Sequence, residues 1–150
     1  MELKLPPALV FLVFGFLMYG LDLVLPFGHF DFFGRMLLFK ALMVSAFVIV
    51  FISLFQFYRT KTTVDPTRPD KAAKLVVDGI FKYSRNPMYL AMLLTLLALG
   101  VYLGNAFNTL VAAAFVAYMN RFQIIPEELV LKEKFGRAYK EYCTLTRRWF

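Results

Sequence analysis

No charged residue occurs anywhere between Asn86 and Asn120. Water tolerates such a stretch poorly, whereas a bilayer accepts it whole. Gly104 and Asn105 divide it near its middle, so the pattern predicts a tight helical hairpin, Met88–Leu103 and Phe107–Tyr118. Each arm falls short of a hydrocarbon core of about 30 Å. One long tilted helix with a kink is the alternative. Two further apolar runs precede the hairpin. The first, Pro6–Leu25, opens on Pro6-Pro7 and closes before Pro26 and Gly28, residues suited to a helix start and stop. No small-residue cleavage pattern follows it, so it reads as a retained span. The second, Met36–Phe57, carries Lys40 near one end, where its stem can snorkel, and leaves through Gln56, Tyr58 and Arg59, an interfacial signature.

The fold these runs predict is all-α, a polytopic helical membrane protein forming one domain over residues 1–150. About four membrane-embedded helices are expected, then a C-terminal helix on the membrane surface or capping the bundle. Composition agrees: 60% of the 150 residues are hydrophobic, against about 45–50% in soluble domains. A soluble core of this size cannot bury the surplus.

The net charge is +7. Its distribution argues against nucleic acid, because the basic residues lie between and after the apolar runs, with no separate basic face bearing stacking aromatics. Arg59–Arg85 and Arg121–Arg148 carry seven Lys or Arg each, the loop before the second span carries only Arg35, and the hairpin turn carries none. The positive-inside rule places both rich segments and both termini in the cytoplasm. The expected location is the plasma (inner) membrane, with the two polar segments meeting in one cytoplasmic site. Cys143 is the only cysteine and His29 the only histidine. That excludes an intramolecular disulfide and gives no reason to expect a metal.

Two clusters carry candidate chemistry. The first runs from Leu75 through Val76, Asp78, Gly79 and Phe81 to Ser84-Arg85-Asn86-Pro87-Met88-Tyr89. Glycine permits a sharp turn or close approach to a ligand. Arg85 precedes a helix start, where free backbone N–H groups favour an anion. Tyr89 follows within about one turn. The second cluster is Arg121, Pro126-Glu127-Glu128, Phe135-Gly136 and Tyr139. Carboxylates at a bundle mouth accept hydrogen bonds from an amine or from sugar hydroxyls. Each residue also has a plain structural explanation. Arg85 suits a cytoplasmic anchor, Pro87 a helix start and Tyr89 an aromatic belt, while the two glutamates compensate a helix dipole.

Taken together, Leu-Val-x-Asp-Gly-x-Phe, Ser-Arg-Asn-Pro-x-Tyr, Pro-Glu-Glu and Phe-Gly-x-x-Tyr resemble the isoprenylcysteine carboxyl methyltransferase and phospholipid methyltransferase superfamily. The motif resemblance covers about Thr62 to the C-terminus; the first two spans match in hydrophobic pattern only. It implies S-adenosylmethionine bound from the cytoplasm by Leu75, Val76, Gly79, Phe81, Asn86, Pro87, Tyr89, Glu127 and Glu128. Arg85 and Arg121 are then the candidate catalytic residues, Arg121 near the acceptor. Asn86 stands where the family has His, which removes a proton-transfer role but not a hydrogen-bonding one. The implied function is methyl transfer to a lipophilic or membrane-delivered acceptor, with carboxyl O-methylation expected. Phospholipid amine N-methylation and a non-catalytic membrane scaffold are the alternatives. Neither Tyr89 nor Arg85 is expected to support many core contacts.

Overall fold

The computed structural model describes residues 5–25, 27–60 and 75–150. Pro26 and the basic residues Lys61, Arg68, Lys71 and Lys74 lie outside them. Five α-helices form: α1 Pro7–Val24, α2 Arg35–Thr60, α3 Pro87–Leu103, α4 Asn108–Met119 and α5 Ile125–Leu145. No strand forms among the described residues. The hairpin arms α3 and α4 fall within a residue of their expected limits, while α2 runs past its expected limits at both ends.

α3 is the centre of the bundle. α2 lies along it, and α1 and α4 pack on it and on each other. Val10 and Met18 from α1 meet Leu93 and Leu96 from α3, and Ala112, Phe115 and Met119 from α4. The helices still expose large apolar side chains, among them Phe16 and Leu23 on α1 and Leu37, Phe47 and Phe51 on α2. So much contiguous exposed apolar surface is a liability in water and ordinary against lipid. By length and composition, α1 and α2 can each cross a membrane; α3 is apolar but shorter, and α4 has only 12 residues. The α3–α4 turn is not a free tip. Ala106 N donates to Gly28 O and Phe30 N to Gly104 O, so the α1–α2 loop covers the turn and buries Asn105.

The sequence suggests a helix start at Pro126, and α5 does begin there, with Pro126, Glu127 and Glu128 in its first turn. It follows α4 without a gap, through a π turn, Asn120–Ile124. Proline has no N–H to donate, and inside an α-helix its ring collides with the carbonyl four residues back, here Phe122. The wider π turn makes room for that ring. α5 is interrupted once, at Gly136, whose φ of 53° and ψ of −119° are non-helical. No atom would obstruct a Cβ there, so backbone conformation alone calls for glycine.

Ahead of α3 the chain forms a 3₁₀ turn, Gly79–Lys82. Gly79 has φ 58°, and a Cβ there would overlap the Gln56 amide. That amide joins α2 to the turn: Ile80 N donates to Gln56 Oε1 at 3.3 Å, and Gln56 Nε2 donates to Asp78 O at 3.4 Å. Gly79→Ala is therefore expected to lose about 1–2 kcal/mol from the left-handed backbone alone, and more from displacing Gln56. Thermal unfolding in detergent measures the loss, and unchanged stability would mean that the turn is not anchored to α2.

Candidate active site

The two sequence clusters meet at the end of the bundle where α3 begins. Their apolar parts form a small second core: Phe81 packs with Tyr139 and Tyr142, with Leu75, Val76, Phe57 and Phe135 around them. Tyr142 OH donates to Phe81 O at 2.6 Å, which fixes the 3₁₀ turn to the far half of α5. The meeting of the two polar segments expected from the sequence is thus seen.

Their charged parts form a compact network. Arg85 Nη2 donates to Glu128 Oε1 at 2.9 Å, and Arg85 Nη1 to Cys143 O at 3.1 Å. Arg148 grips the same carboxylate from the other side, Nε to Oε1 at 2.9 Å and Nη2 to Oε2 at 2.7 Å. A carboxylate between two guanidiniums, one of them bidentate, is held in position and orientation. The Arg85 and Glu128 side chains are 11% and 18% exposed, so water screens the pair little. Hydrogen bonding to Glu128 raises the Arg148 guanidinium further above its ordinary value. Arg85 Nε is buried and has no partner among the described residues.

Glu127, one residue away, has a different setting. Tyr89 OH donates to its Oε1 at 2.5 Å. Burial pushes its carboxyl up to about 8, the Tyr89 hydroxyl pulls it back in part, and Glu128 raises it further. Adjacent carboxyls therefore divide into one held by cations and one able to carry a proton near neutral pH. The expectation that few core contacts depend on Tyr89 is wrong: it is 5% exposed and belongs to the main core with Leu93, Met119 and Ile124. Arg85 likewise ties α3 to α5, because Glu128 and the Cys143 carbonyl both lie on α5.

The chain after α5 closes this region. Arg85 N donates to Arg147 O at 3.0 Å, and Asn86 Nδ2 to Arg148 O at 2.9 Å. Thr146 Oγ1 donates to Lys82 O, and Trp149 Nε1 to Asn120 Oδ1. Asn86 thus has a hydrogen-bonding role, in positioning the segment that carries Arg148. Pro87 is buried at the start of α3. Gly79 lies at the edge of the second core, and Leu75 and Val76 lie against it.

Arg121 is not brought to the network. It is exposed, with its guanidinium 5.7 Å from the Phe122 ring. Sequence reasoning missed Arg148, which no motif marks. Its arginine pair with Arg147, just past the last apolar residues of α5, was the available signal. No group of three or more metal-ligating side chains occurs among the described residues.

Comparison with known proteins places these features. A model of the phospholipid methyltransferase family matches residues 34–138, a stretch that takes in α2 as well as both clusters up to the middle of α5. An uncharacterized protein of Haemophilus influenzae is 45% identical over 62 residues, 41% of this chain and 98% of that protein. No solved structure matches.

Proposed function

This chain belongs to the phospholipid methyltransferase family, and from that membership we propose that it is an S-adenosylmethionine-dependent enzyme that methylates the amine of a membrane lipid headgroup. Carboxyl O-methylation is the rival outcome. The observation that carries the amine reading is the contrast between the two adjacent, partly buried acids. Among the described residues, Arg85 and Arg148 both bond Glu128, whereas Glu127 is bonded to a phenol and suits an ammonium.

The residues fit the cofactor by chemistry. Leu75, Val76 and Phe81 offer an apolar wall, Arg85 Nε, without a partner among the described residues, a donor for a hydroxyl group, and Glu127 and Glu128 acceptors. When bound, S-adenosylmethionine supplies a methyl group already activated on a sulfonium. The chain has then to align the acceptor, exclude water and receive one proton from the amine. Alignment of this kind is worth about 7–11 kcal/mol. Glu127, near 8, is placed to take the proton. Tyr89 holds that carboxyl in place. Arg121, exposed beside Phe122 and near the exposed Ile125 and Leu129, takes the headgroup phosphate at the lipid boundary.

In this reading all four apolar helices are membrane-embedded, α1 and α2 as full crossings, with the network facing the cytoplasm. α3 and α4 are too short for full crossings and form an embedded hairpin that ends before Arg121. The test is methylation of a phospholipid extract with a deuteromethyl donor, read by mass spectrometry. Label is expected on amine headgroups. Base-labile label on a prenylated carboxylate acceptor and none on amines would favour O-methylation. No product, with no binding of S-adenosylhomocysteine by titration, would leave the scaffold alternative.

A further inference from the structure

The end of the bundle away from the charged network holds a second polar feature. Where α3 ends and α4 begins there is a cavity of about 70 Å³, walled by Phe30, Leu96, Leu97 and Val101 with Asn108 and Thr109. Asn108 is 1% exposed, and neither its Oδ1 nor its Nδ2 has a hydrogen-bond partner among the described residues. A buried amide group left unsatisfied is costly, because its desolvation is not repaid. Neighbouring Asn105 shows how the fold normally meets such a demand: its Oδ1 accepts from Phe107 N at 3.1 Å and its Nδ2 donates to Leu25 O at 3.3 Å. Nothing comparable reaches Asn108, although it lines a cavity larger than the roughly 10–15 Å³ one water needs.

The setting selects the ligand. No charged side chain among the described residues lines the cavity. The first N–H groups of α4 are already used, Asn108 N by Asn105 O, Thr109 N by Ala106 O and Leu110 N by Phe107 O, so an anion finds no free donors there. An amide offers a donor and an acceptor side by side, and a single hydroxyl can satisfy both. Leu97 and Val101 are half-buried and Thr109 is exposed, so the cavity is reached from the outside of the bundle. We propose that this cavity is a binding site for a neutral hydroxyl group, anchored on Asn108. The hydroxyl belongs to a water or to an alcohol whose alkyl part lies along Leu97 and Val101. The site is independent of methyl transfer.

The experiment is NMR of the side-chain amide of Asn108, assigned through Asn108→Leu, in nanodiscs of dioleoyl phosphatidylcholine, a lipid without hydroxyls. With no alcohol present, the Nδ2 protons are expected to show a nuclear Overhauser effect to water. Titration with 1-octanol then separates the sources. A saturable shift of the amide signal, with new effects to alkyl protons, identifies an alcohol site. A persistent water effect with no response to octanol identifies a water site. Absence of any effect from the Asn108 amide to water or octanol overturns the proposal, whatever octanol does elsewhere in the protein. The wild-type measurement decides the first point even if the variant does not fold.

Discussion

Arg85→Ala is expected to lower methyl transfer about a hundredfold and to weaken the fold at the same time. The guanidinium holds Glu128 and the Cys143 carbonyl, so its loss frees the start of α3 from α5. Breaking a buried ion pair from one side costs about 3–5 kcal/mol. The lower end applies here because Arg148 still holds Glu128. A misplacement on the order of 1 Å then costs about a hundredfold in rate. Arg85→Lys should not restore activity, since one ammonium cannot reproduce a fork that serves two acceptors. Activity per folded molecule, measured beside a melting curve, separates the two effects. Normal specific activity in the folded fraction would reduce Arg85 to a structural tie. For Tyr89 the informative variant is Tyr89→Phe, which keeps the ring in the core; Tyr89→Ala would add a cavity worth about 3–5 kcal/mol.

Activity and stability should respond to pH in opposite directions, both through Glu127. Its carboxyl is raised from 4.5 to about 8, chiefly by burial. The folded protein therefore keeps a proton that the unfolded chain has released between those values, and stability falls as pH rises across that window. As the proton acceptor, Glu127 must be ionised, so kcat/KM should climb about tenfold per pH unit toward about 8 and level off above it. Glu127→Gln should remove both the stability slope and the break in the rate profile, while Glu133→Gln, on an exposed side chain of the same helix, changes neither. A wild-type rate profile without a break near 8 would take Glu127 out of the reaction.

The helices could be read from the sequence because their limits are local. Pro7, Pro87 and the Gly104-Asn105 turn each act on their own stretch of chain, and α3 and α4 begin and end within a residue of expectation. Charge distribution also led to the expectation that the two polar segments meet, and Arg85 does bond Glu128. Partner choice within the site could not be read. Arg148 is 63 positions after Arg85 in the chain, and only the folded path after α5 brings both onto one carboxylate. The depth of Tyr89 was missed for a related reason: a tyrosine near a predicted membrane boundary has the sequence appearance of a belt residue, and only the folded core, with Met119 of α4 and Ile124 of the π turn, buries it. Pro126 does mark the first turn of α5; the π turn that joins α5 to α4 is not legible, because periodicity does not register one.

That π turn makes the site depend on a count of residues as well as on their kinds. A helix advances about 100° per residue. Asn120–Ile124 therefore sets the azimuth at which Glu127 and Glu128 leave the helix relative to the face of α4 buried on α3. Removing one residue from the turn would keep every residue of both motifs and turn the two carboxyls by roughly a quarter of the circumference, away from Tyr89 and Arg85. A relative could thus retain each signature in order and still have lost the site, and spacing between Met119 and Pro126 becomes a criterion for deciding which relatives can carry the reaction.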